Sequence, residues 1–315
     1  MANVTEKRIR RFCRYVLNQV ESDIGFIDVG SGGDLKKPWK HLPPDRLKTC
    51  DFEPTRSDEG KLPLCISNET GTAPFFVARD ERASSFHKPV SDFVHRFGLD
   101  SMLIVKEVNV ACTSLDEHLA GHYESADALD INVEGHDYQV LQGASALLAV
   151  GNLKLIKIEF ELVPVWVGQG YFSDIDAFLR ARDFRLVHLQ IDNARPSKVS
   201  HLHYDGEPIW GKALYAPNLI RYREHLSKLK EIGPPPARAE LVKAVAIYVA
   251  AESPGLAYDA IDQAEMSGII VANEGADLRE RIDHVFQWAK VEAGLGFIMS
   301  FANALRRHLL PYTKA

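Results

Sequence analysis

Apolar positions along the chain alternate between two spacings, and this alternation predicts strands and helices in turn. Short apolar and β-branched runs bounded by turn residues are typical of strands, and apolar residues three or four apart indicate helices. The predicted strands are Ile24–Val29, Thr49–Phe52, Leu62–Ile66, Pro74–Ala78, Met102–Val110, Ala128–Val133, Leu153–Leu162, Phe184–Leu189 and Ile209–Tyr215. The predicted helices among them are residues 7–20, Tyr138–Leu148 and Ile175–Ala181. This order predicts an α/β fold, with a mostly parallel sheet covered by helices on both faces.

The pattern changes near residue 217. No helix separates the last two predicted strands, which could therefore form an antiparallel edge pair. Beyond them, Gly233-Pro234-Pro235-Pro236 is a stiff break. The remaining patterns are helical, at Tyr222–Ile232, Arg238–Ala251, Leu256–Met266, Ala276–Val291 and Leu295–Leu310. We therefore predict an α/β domain over residues 1–217 and a helical domain over residues 218–315.

Composition narrows the class of partners. Acidic residues outnumber basic ones by 43 to 37, and the absence of a polybasic run argues against nucleic acid. The sequence has no apolar signal core at its start and no apolar run long enough to span a bilayer. The four cysteines, at positions 13, 50, 65 and 112, lack the close spacing of a zinc or redox motif. They predict reduced thiols in a cytoplasmic protein.

The first predicted strand leads into a glycine-rich turn, Gly30-Ser31-Gly32-Gly33, just after Asp28. Such a turn at the carboxyl end of a parallel strand lets the backbone approach a cofactor closely. Glu53 ends the next strand, and its carboxylate suits ribose hydroxyls. The turn lacks the glycine spacing of the dinucleotide fingerprint, which argues against a nicotinamide oxidoreductase. We predict a nucleoside cofactor here, although a tight strand-to-helix turn would also explain the glycines.

Two later strands carry carboxylates at alternate positions. Because side chains alternate along a strand, Asp130, Asn132 and Glu134 share one face, and so do Glu159 and Glu161. If the strands are neighbours, the crowded carboxylates have raised pKa values and could include a general base. The alternative is a structural network in which Lys154 or Lys157 supplies the counter-ion. A divalent metal such as Mg²⁺, held by Asp130, Glu134 and Glu159, is possible but less favoured because Asn132 dilutes the charge.

His136 follows the second glycine-containing turn and begins a predicted helix. A helix N-terminus keeps an imidazole neutral, so that His136 could act as a base. With 12 histidines in the chain, a surface histidine without a role is the simpler interpretation.

Taken together, these motifs resemble the FkbM-type methyltransferases, a branch of the class I enzymes that use S-adenosylmethionine. The resemblance covers about residues 20–215. It rests on Phe26–Gly33, Asp51-Phe52-Glu53-Pro54, Ser84-Ser85, Thr113-Ser114-Leu115-Asp116-Glu117, Asp130–Ala144, Ile158-Glu159 and the Phe184 strand. The chain departs from the family at Asp130, where lysine is common, at Asn132, where aspartate is common, and at Asp34, where glycine is usual.

The resemblance implies a Rossmann-like fold and methyl transfer to a hydroxyl, usually of a sugar or natural product. The acceptor would be a sugar of a bacterial surface polysaccharide or glycan. The residues that would hold S-adenosylmethionine are Asp28, Gly30, Ser31, Gly32, Glu53, Ser67, Asn68 and Asp130, with Ser67 and Asn68 near the adenine. Glu134, His136 and Glu159 would orient and deprotonate the acceptor.

The helical region after residue 217 has no counterpart in the family. We predict that it forms a cap or a dimerisation domain, so that a homo-oligomer is possible. Its apolar segment Leu295–Tyr312 could instead contact a membrane surface peripherally. A second hypothesis for the whole chain is a catalytically degenerate scaffold, in which the departures at Asp130 and Asn132 mark lost chemistry.

Overall fold

The computed structural model describes residues 2–30, 32, 35–53, 61–62, 64–150 and 153–287. Its strands are β1 (Ile24–Val29), β2 (Leu47–Phe52), β3 (Lys61–Leu62), β4 (Cys65–Ile66), β5 (Gly71–Ala78), β6 (Ile104–Thr113), β7 (Ala128–Ile131), β8 (Leu155–Glu161), β9 (Phe184–Ala194) and β10 (Glu207–Pro217). Its first seven helices are α1 (Ala2–Leu17), α2 (Ser91–Phe97), α3 (Leu115–Leu119), α4 (Asp137–Gln142), α5 (Ser145–Val150), α6 (Phe172–Arg180) and α7 (Leu219–Ile232). They are followed by α8 (Pro234–Ala250), α9 (Pro254–Met266) and α10, described over residues 272–287.

A seven-stranded mixed sheet in the order β3-β2-β1-β7-β8-β10-β9 forms the centre of the α/β unit. The first five strands in this order run parallel to their neighbours, and β10 is antiparallel to both β8 and β9. The predicted antiparallel edge pair is thus confirmed, with β9 at the edge. One face of the sheet packs against α4, α5 and α6 through a core that includes Ile131, Leu141, Leu148, Phe160 and Leu179.

Two predicted strands belong to a different sheet. β5 and β6 pair antiparallel, and with β4 they form a separate three-stranded sheet. The predicted strand Leu62–Ile66 is therefore wrong, since it divides between β3 in the large sheet and β4 in the small one. The reason is visible in burial: much of β5 and β6 is exposed, whereas β7 is buried at every position. Parallel strands covered on both faces need continuous burial, and half-exposed strands favour antiparallel pairing.

The predicted helix Tyr138–Leu148 is also wrong, because it breaks into α4 and α5 around Gly143. Asp116 stabilises the break, since its carboxylate accepts hydrogen bonds from Ala146 N and Leu147 N at 2.7 and 2.9 Å. These N–H groups lie at the start of α5 and have no partner within the helix. A β-carbon at Gly143 would lie 2.1 Å from Ser67 O, so the break also lets the chain after β4 approach closely.

The described residues group into two compact units. The α/β unit comprises residues from 23–35 and 47–225, and the helical unit comprises residues from 2–22, 36–46 and 226–287. In the helical unit, α8 is buried on nearly all sides, as expected of a helix that is apolar all round. It begins at Pro234 rather than at the predicted Arg238, because proline lacks only an N–H that the first turn leaves unbonded. The proposed domain boundary near residue 217 stays a prediction.

No helix in the described part of the chain combines the length and apolar character needed to cross a bilayer. The predicted helix Leu295–Leu310, and with it the proposed membrane contact of Leu295–Tyr312, lies outside the described residues. Helices on the second face of the sheet also stay a prediction.

Candidate functional site

Three of the predicted cofactor residues, Gly30, Gly32 and Glu53, meet at the carboxyl ends of β1 and β2. Gly32 N donates a hydrogen bond to Glu53 Oε2 at 3.1 Å, and Gly30 N donates to Phe52 O at 3.0 Å. The glycine turn therefore lies directly against the end of β2. Glu53 is largely buried, which limits its carboxylate to partners that enter this edge of the sheet. Ser31 lies outside the described residues.

Gly30 has a left-handed backbone with φ of +85°. A β-carbon there would lie 2.0 Å from Asn132 O, in the turn after β7. Only glycine accommodates both this conformation and the close approach of the two chain segments. The turn after β1 therefore requires glycine at position 30.

A row of polar side chains crosses the sheet below this turn. Asp28 on β1 is in register with Asp51 on β2 and with Asp130 on β7, and Asp130 is in register with Lys157 on β8. Lys157 Nζ contacts Asp130 Oδ2 at 2.7 Å, and both side chains are buried. FkbM-type proteins commonly have a lysine where this chain has Asp130. Here the lysine beside that position is Lys157, which comes from the neighbouring strand β8.

A second buried ion pair lies at the start of the same two strands. Lys154 Nζ contacts Asp127 Oδ1 at 2.7 Å, with each side chain 1% exposed. Asp127 Oδ2 also accepts a hydrogen bond from Gly25 N at 2.8 Å. Both lysines of the alternative interpretation are thus structural counter-ions.

Glu134 and Glu159 line a cavity of about 230 Å³. This cavity lies at the carboxyl ends of β7 and β8, and we call it the carboxylate cavity. Its remaining lining is one further carboxylate and four apolar or aromatic side chains, namely Glu161, Met102, Val165, Trp166 and Trp210. Lys212 Nζ lies 3.7 Å from Glu159 Oε1. Three carboxylates thus meet at this edge, but Asp130 is not among them. The predicted shared face of Asp130, Asn132 and Glu134 is wrong, because β7 ends at Ile131 and Glu134 lies in the turn beyond it.

The turn that carries Glu134 has an unusual backbone. Glu134 adopts φ of +55° and Gly135 φ of +86°. A left-handed conformation costs free energy for a residue with a β-carbon, and it is found where the surroundings hold it in place. Here Asp137 accepts hydrogen bonds from Val133 N and Gly135 N, both at 3.2 Å, and Ser85 Oγ donates to Glu134 O at 2.6 Å.

Two acids of this region have strongly shifted pKa values. Burial raises the pKa of Asp137, and the charge of Glu159 raises it further. The pKa of Glu161 is raised by burial and then by the charges of Asp137, Glu159 and Glu134. Mutual repulsion therefore opposes the simultaneous ionisation of these acids. A carboxylate whose pKa lies near the working pH is suited to accept a proton during a reaction.

His136 faces a different set of partners. Its Nε2 lies 2.9 Å from Ser67 Oγ, and its Nδ1 lies 3.0 Å from His87 Nε2. His87 Nδ1 in turn lies 2.9 Å from Val167 O, which can only accept. When both imidazoles are neutral, His87 carries its proton on Nδ1 and His136 donates from Nδ1 to His87. The single proton of Ser67 Oγ then serves either His136 Nε2 or Asn68 Oδ1, which lies 3.2 Å away.

Burial lowers the pKa of His136 to about 3, with a smaller contribution from His87, whose own pKa burial also lowers. A depressed histidine pKa favours folding above pH 6.5 and reduces stability as the pH falls towards 3, because the unfolded chain binds the proton. We expect the free energy of unfolding to fall by about 1.4 kcal/mol more per pH unit below 6.5 in the wild type than in His136→Gln.

Urea unfolding of both proteins at several pH values between 7 and 4 measures this difference in slope. The acids Asp137 and Glu161 have raised pKa values and act in the opposite sense, but they are present in both proteins and largely cancel. Parallel slopes for the two proteins would contradict the neutral hydrogen-bonded chain.

Ser67 and Asn68 lie against α4. Besides its bond to His136, Ser67 N donates to Thr113 O, and Asn68 Nδ2 donates to Gln142 Oε1 at 3.2 Å. The site assignments of all these residues stay predictions. Among the described residues, no group of three histidine, cysteine or acidic side chains has the arrangement needed to hold a metal ion.

Several neighbours of the site were not among the predicted site residues. Glu161 and Asp137 had local signals, since Glu161 alternates with Glu159 and Asp137 follows His136 at a helix start. Trp166, Trp210 and His87 had none, because they approach the site only through the fold. Trp210, for example, is in register with Glu161 in the antiparallel pair of β10 and β8.

Comparison with known proteins gives one match. Residues 44–186 match the family model of the methyltransferase FkbM domain. This range is shorter than the predicted 20–215 and begins after the glycine turn. Neither the curated proteins nor the solved structures give a match. The resemblance drawn from the motifs is confirmed over residues 44–186, which match the methyltransferase FkbM domain.

Proposed function

We propose that this methyltransferase uses S-adenosylmethionine and transfers the methyl group to a hydroxyl of a sugar, in a bacterial surface polysaccharide or related glycan. The observation that carries the proposal is the placement of the carboxylate cavity. It lies at the carboxyl ends of β7 and β8, and the glycine turn lies at the carboxyl end of β1, the parallel neighbour of β7. Carboxyl ends of neighbouring parallel strands share one edge of a sheet, where α/β proteins bind their ligands.

The strand order supports a Rossmann-like class I fold. Numbered within the large sheet, the strands follow the order 3-2-1-4-5-7-6. The first five positions have the strand order of the doubly wound nucleotide-binding folds. In those folds the strand order reverses at the first strand, here β1, and a crevice for a ligand forms at that point. The last strand inserts antiparallel between its two predecessors.

The residues present fit an adenosyl cofactor. A side chain at Gly30 would collide with Asn132 O, so glycine lets β1 and the turn after β7 approach closely. Glu53 would bind the ribose hydroxyls, because a carboxylate accepts several hydrogen bonds and can keep its bond from Gly32 N. Asp28 and Asp130 would lie towards the methionine end, with Ser67 and Asn68 towards the adenine.

When bound, S-adenosylmethionine supplies a methyl group already activated on a sulfonium, so that the acceptor oxygen gains a C–O bond as the C–S bond breaks. The protein must then hold the acceptor hydroxyl in line and accept its proton. Glu134 or Glu159 would take this proton inside the carboxylate cavity. His136 would position the turn that carries Glu134, because one of its ring nitrogens is bonded to Ser67 and the other to His87.

Calorimetric titration tests the cofactor assignment. We expect S-adenosylmethionine to bind with a dissociation constant in the micromolar range, about −8 kcal/mol, and NAD not to bind, because the turn lacks the dinucleotide glycine spacing. Binding of NAD alone would contradict the proposal. Absence of binding by either compound would favour a degenerate scaffold on this fold.

A further inference from the structure

The carboxylate cavity has two kinds of wall. Glu134, Glu159 and Glu161 supply one, and indole rings and aliphatic groups supply the other. The aromatic side belongs to an apolar cluster that includes Phe93, Met102, Val165, Trp166 and Ile209. A cavity of about 230 Å³ admits a group about the size of one sugar ring.

Glu161 is the exceptional member of this lining. Its side chain is 4% exposed, yet within the described chain it receives no hydrogen bond from another residue and forms no ion pair. The charges that act on it most are acidic, those of Asp137, Glu159 and Glu134, and the nearby Lys212 contacts Glu159. Burial of a carboxyl group is costly without a partner, and here the side chain faces a cavity. The missing partner is therefore a group that enters from outside.

The partner that relieves this arrangement best is a cation. A positive charge in contact with a carboxylate is attracted strongly in the low dielectric of a buried cavity, and a negative charge is repelled to the same extent. A neutral hydroxyl gains only a hydrogen bond. A bound cation would also reverse the upward shift that the neighbouring acids impose on the pKa of Glu161.

The aromatic wall favours the same ligand. Indole faces attract ammonium groups more strongly than other aromatic rings do. Trp210 is directly opposite Glu161 in the strand register, and Trp166 packs over Gly135, where a β-carbon would lie 2.4 Å from the indole. An ammonium group next to Glu161 would therefore have a carboxylate on one side and indole rings within the same cavity.

We propose that the acceptor is an amino-bearing polyol, such as an amino sugar, whose protonated amine is bound by Glu161 while a nearby hydroxyl receives the methyl group. This inference rests on the proposed function and specifies its acceptor class. A protonated amine has no lone pair, so the hydroxyl remains the nucleophile. Acceptors that carry a carboxylate or phosphate in the same place would be excluded by repulsion.

Three sugars with the same ring and different charge test the proposal: glucosamine, N-acetylglucosamine and glucuronic acid. Each is titrated into the full-length protein, alone and with S-adenosylhomocysteine, at a pH where the amine is protonated. We expect glucosamine to bind at least about tenfold more tightly than N-acetylglucosamine, and glucuronic acid to bind most weakly, because bonds between charged groups contribute most.

Glu161→Gln should abolish the preference for glucosamine by weakening its binding about tenfold, with little change for N-acetylglucosamine. Glu107→Gln is the matched control, because Glu107 is an exposed glutamate on β6 of the same unit. Equal affinity for the three sugars, binding of none, or an unchanged preference in Glu161→Gln would overturn the inference. Absence of S-adenosylhomocysteine binding would instead contradict the proposed function, so the two failures are distinguishable.

Discussion

Glu159→Gln and Glu134→Gln are expected to lower kcat for methyl transfer by about 10²–10⁴-fold, the usual contribution of a positioned general base. Both side chains line the carboxylate cavity beside the proposed cofactor edge. Glutamine preserves the size of the side chain but cannot accept the hydroxyl proton. The larger loss identifies the base, and the smaller one identifies a residue that orients the acceptor.

The measurement is S-adenosylhomocysteine release with an accepted sugar, paired with calorimetric affinity for S-adenosylmethionine. Cofactor affinity should stay within about threefold in both variants, because the glycine turn and Glu53 are unchanged. Glu107→Gln serves again as the surface control and should retain wild-type turnover. Unchanged turnover in both cavity variants would exclude these carboxylates from catalysis.

Gly30→Ala is expected to lower the free energy of unfolding by about 2–4 kcal/mol and to weaken cofactor binding at least tenfold. The new methyl group would lie 2.0 Å from Asn132 O and 2.9 Å from its carbonyl carbon. Both are backbone atoms, so β7 or the turn would have to move. The φ of +85° adds a second cost, because alanine avoids this conformation.

Gly121→Ala separates the two costs. Gly121 has a similar φ of +92°, but an added β-carbon meets no atom within 4 Å. Its alanine variant should lose only about 1 kcal/mol from the backbone conformation. Urea unfolding and S-adenosylmethionine titration of both variants give the comparison. Equal stability of the two variants, with unchanged cofactor affinity, would show that the close approach at Gly30 has no role.

The predictions that depend on neighbouring residues agree best with the structure. β1 has the predicted bounds, and the described helices α7, α8 and α9 fall close to their apolar patterns. Alternation placed Glu159 and Glu161 on one face, and the structure places both on the wall of one cavity. Such features follow from backbone geometry over a few residues, which the local sequence contains.

Errors arose where distant segments compete for the same backbone. The chain near Leu62–Ile66 divides between two sheets because its two ends pair with β2 and β6. The predicted helix Tyr138–Leu148 breaks because Asp116, far back in the chain, binds the first amides of α5. Local propensity does not contain these partners.

Residue types at short spacing predict an α/β fold, the glycine turn with Glu53 at the end of the next strand, and the resemblance to the FkbM methyltransferase domain. The pairing of acids with counter-ions follows instead from the tertiary structure. Asp127 pairs with Lys154, which immediately precedes β8, and Asp130 pairs with Lys157 on β8. Glu161 instead lies opposite Trp210 in the carboxylate cavity. Charge pairing depends on distances of a few ångströms between strands that are far apart in the sequence, and folding alone sets those distances.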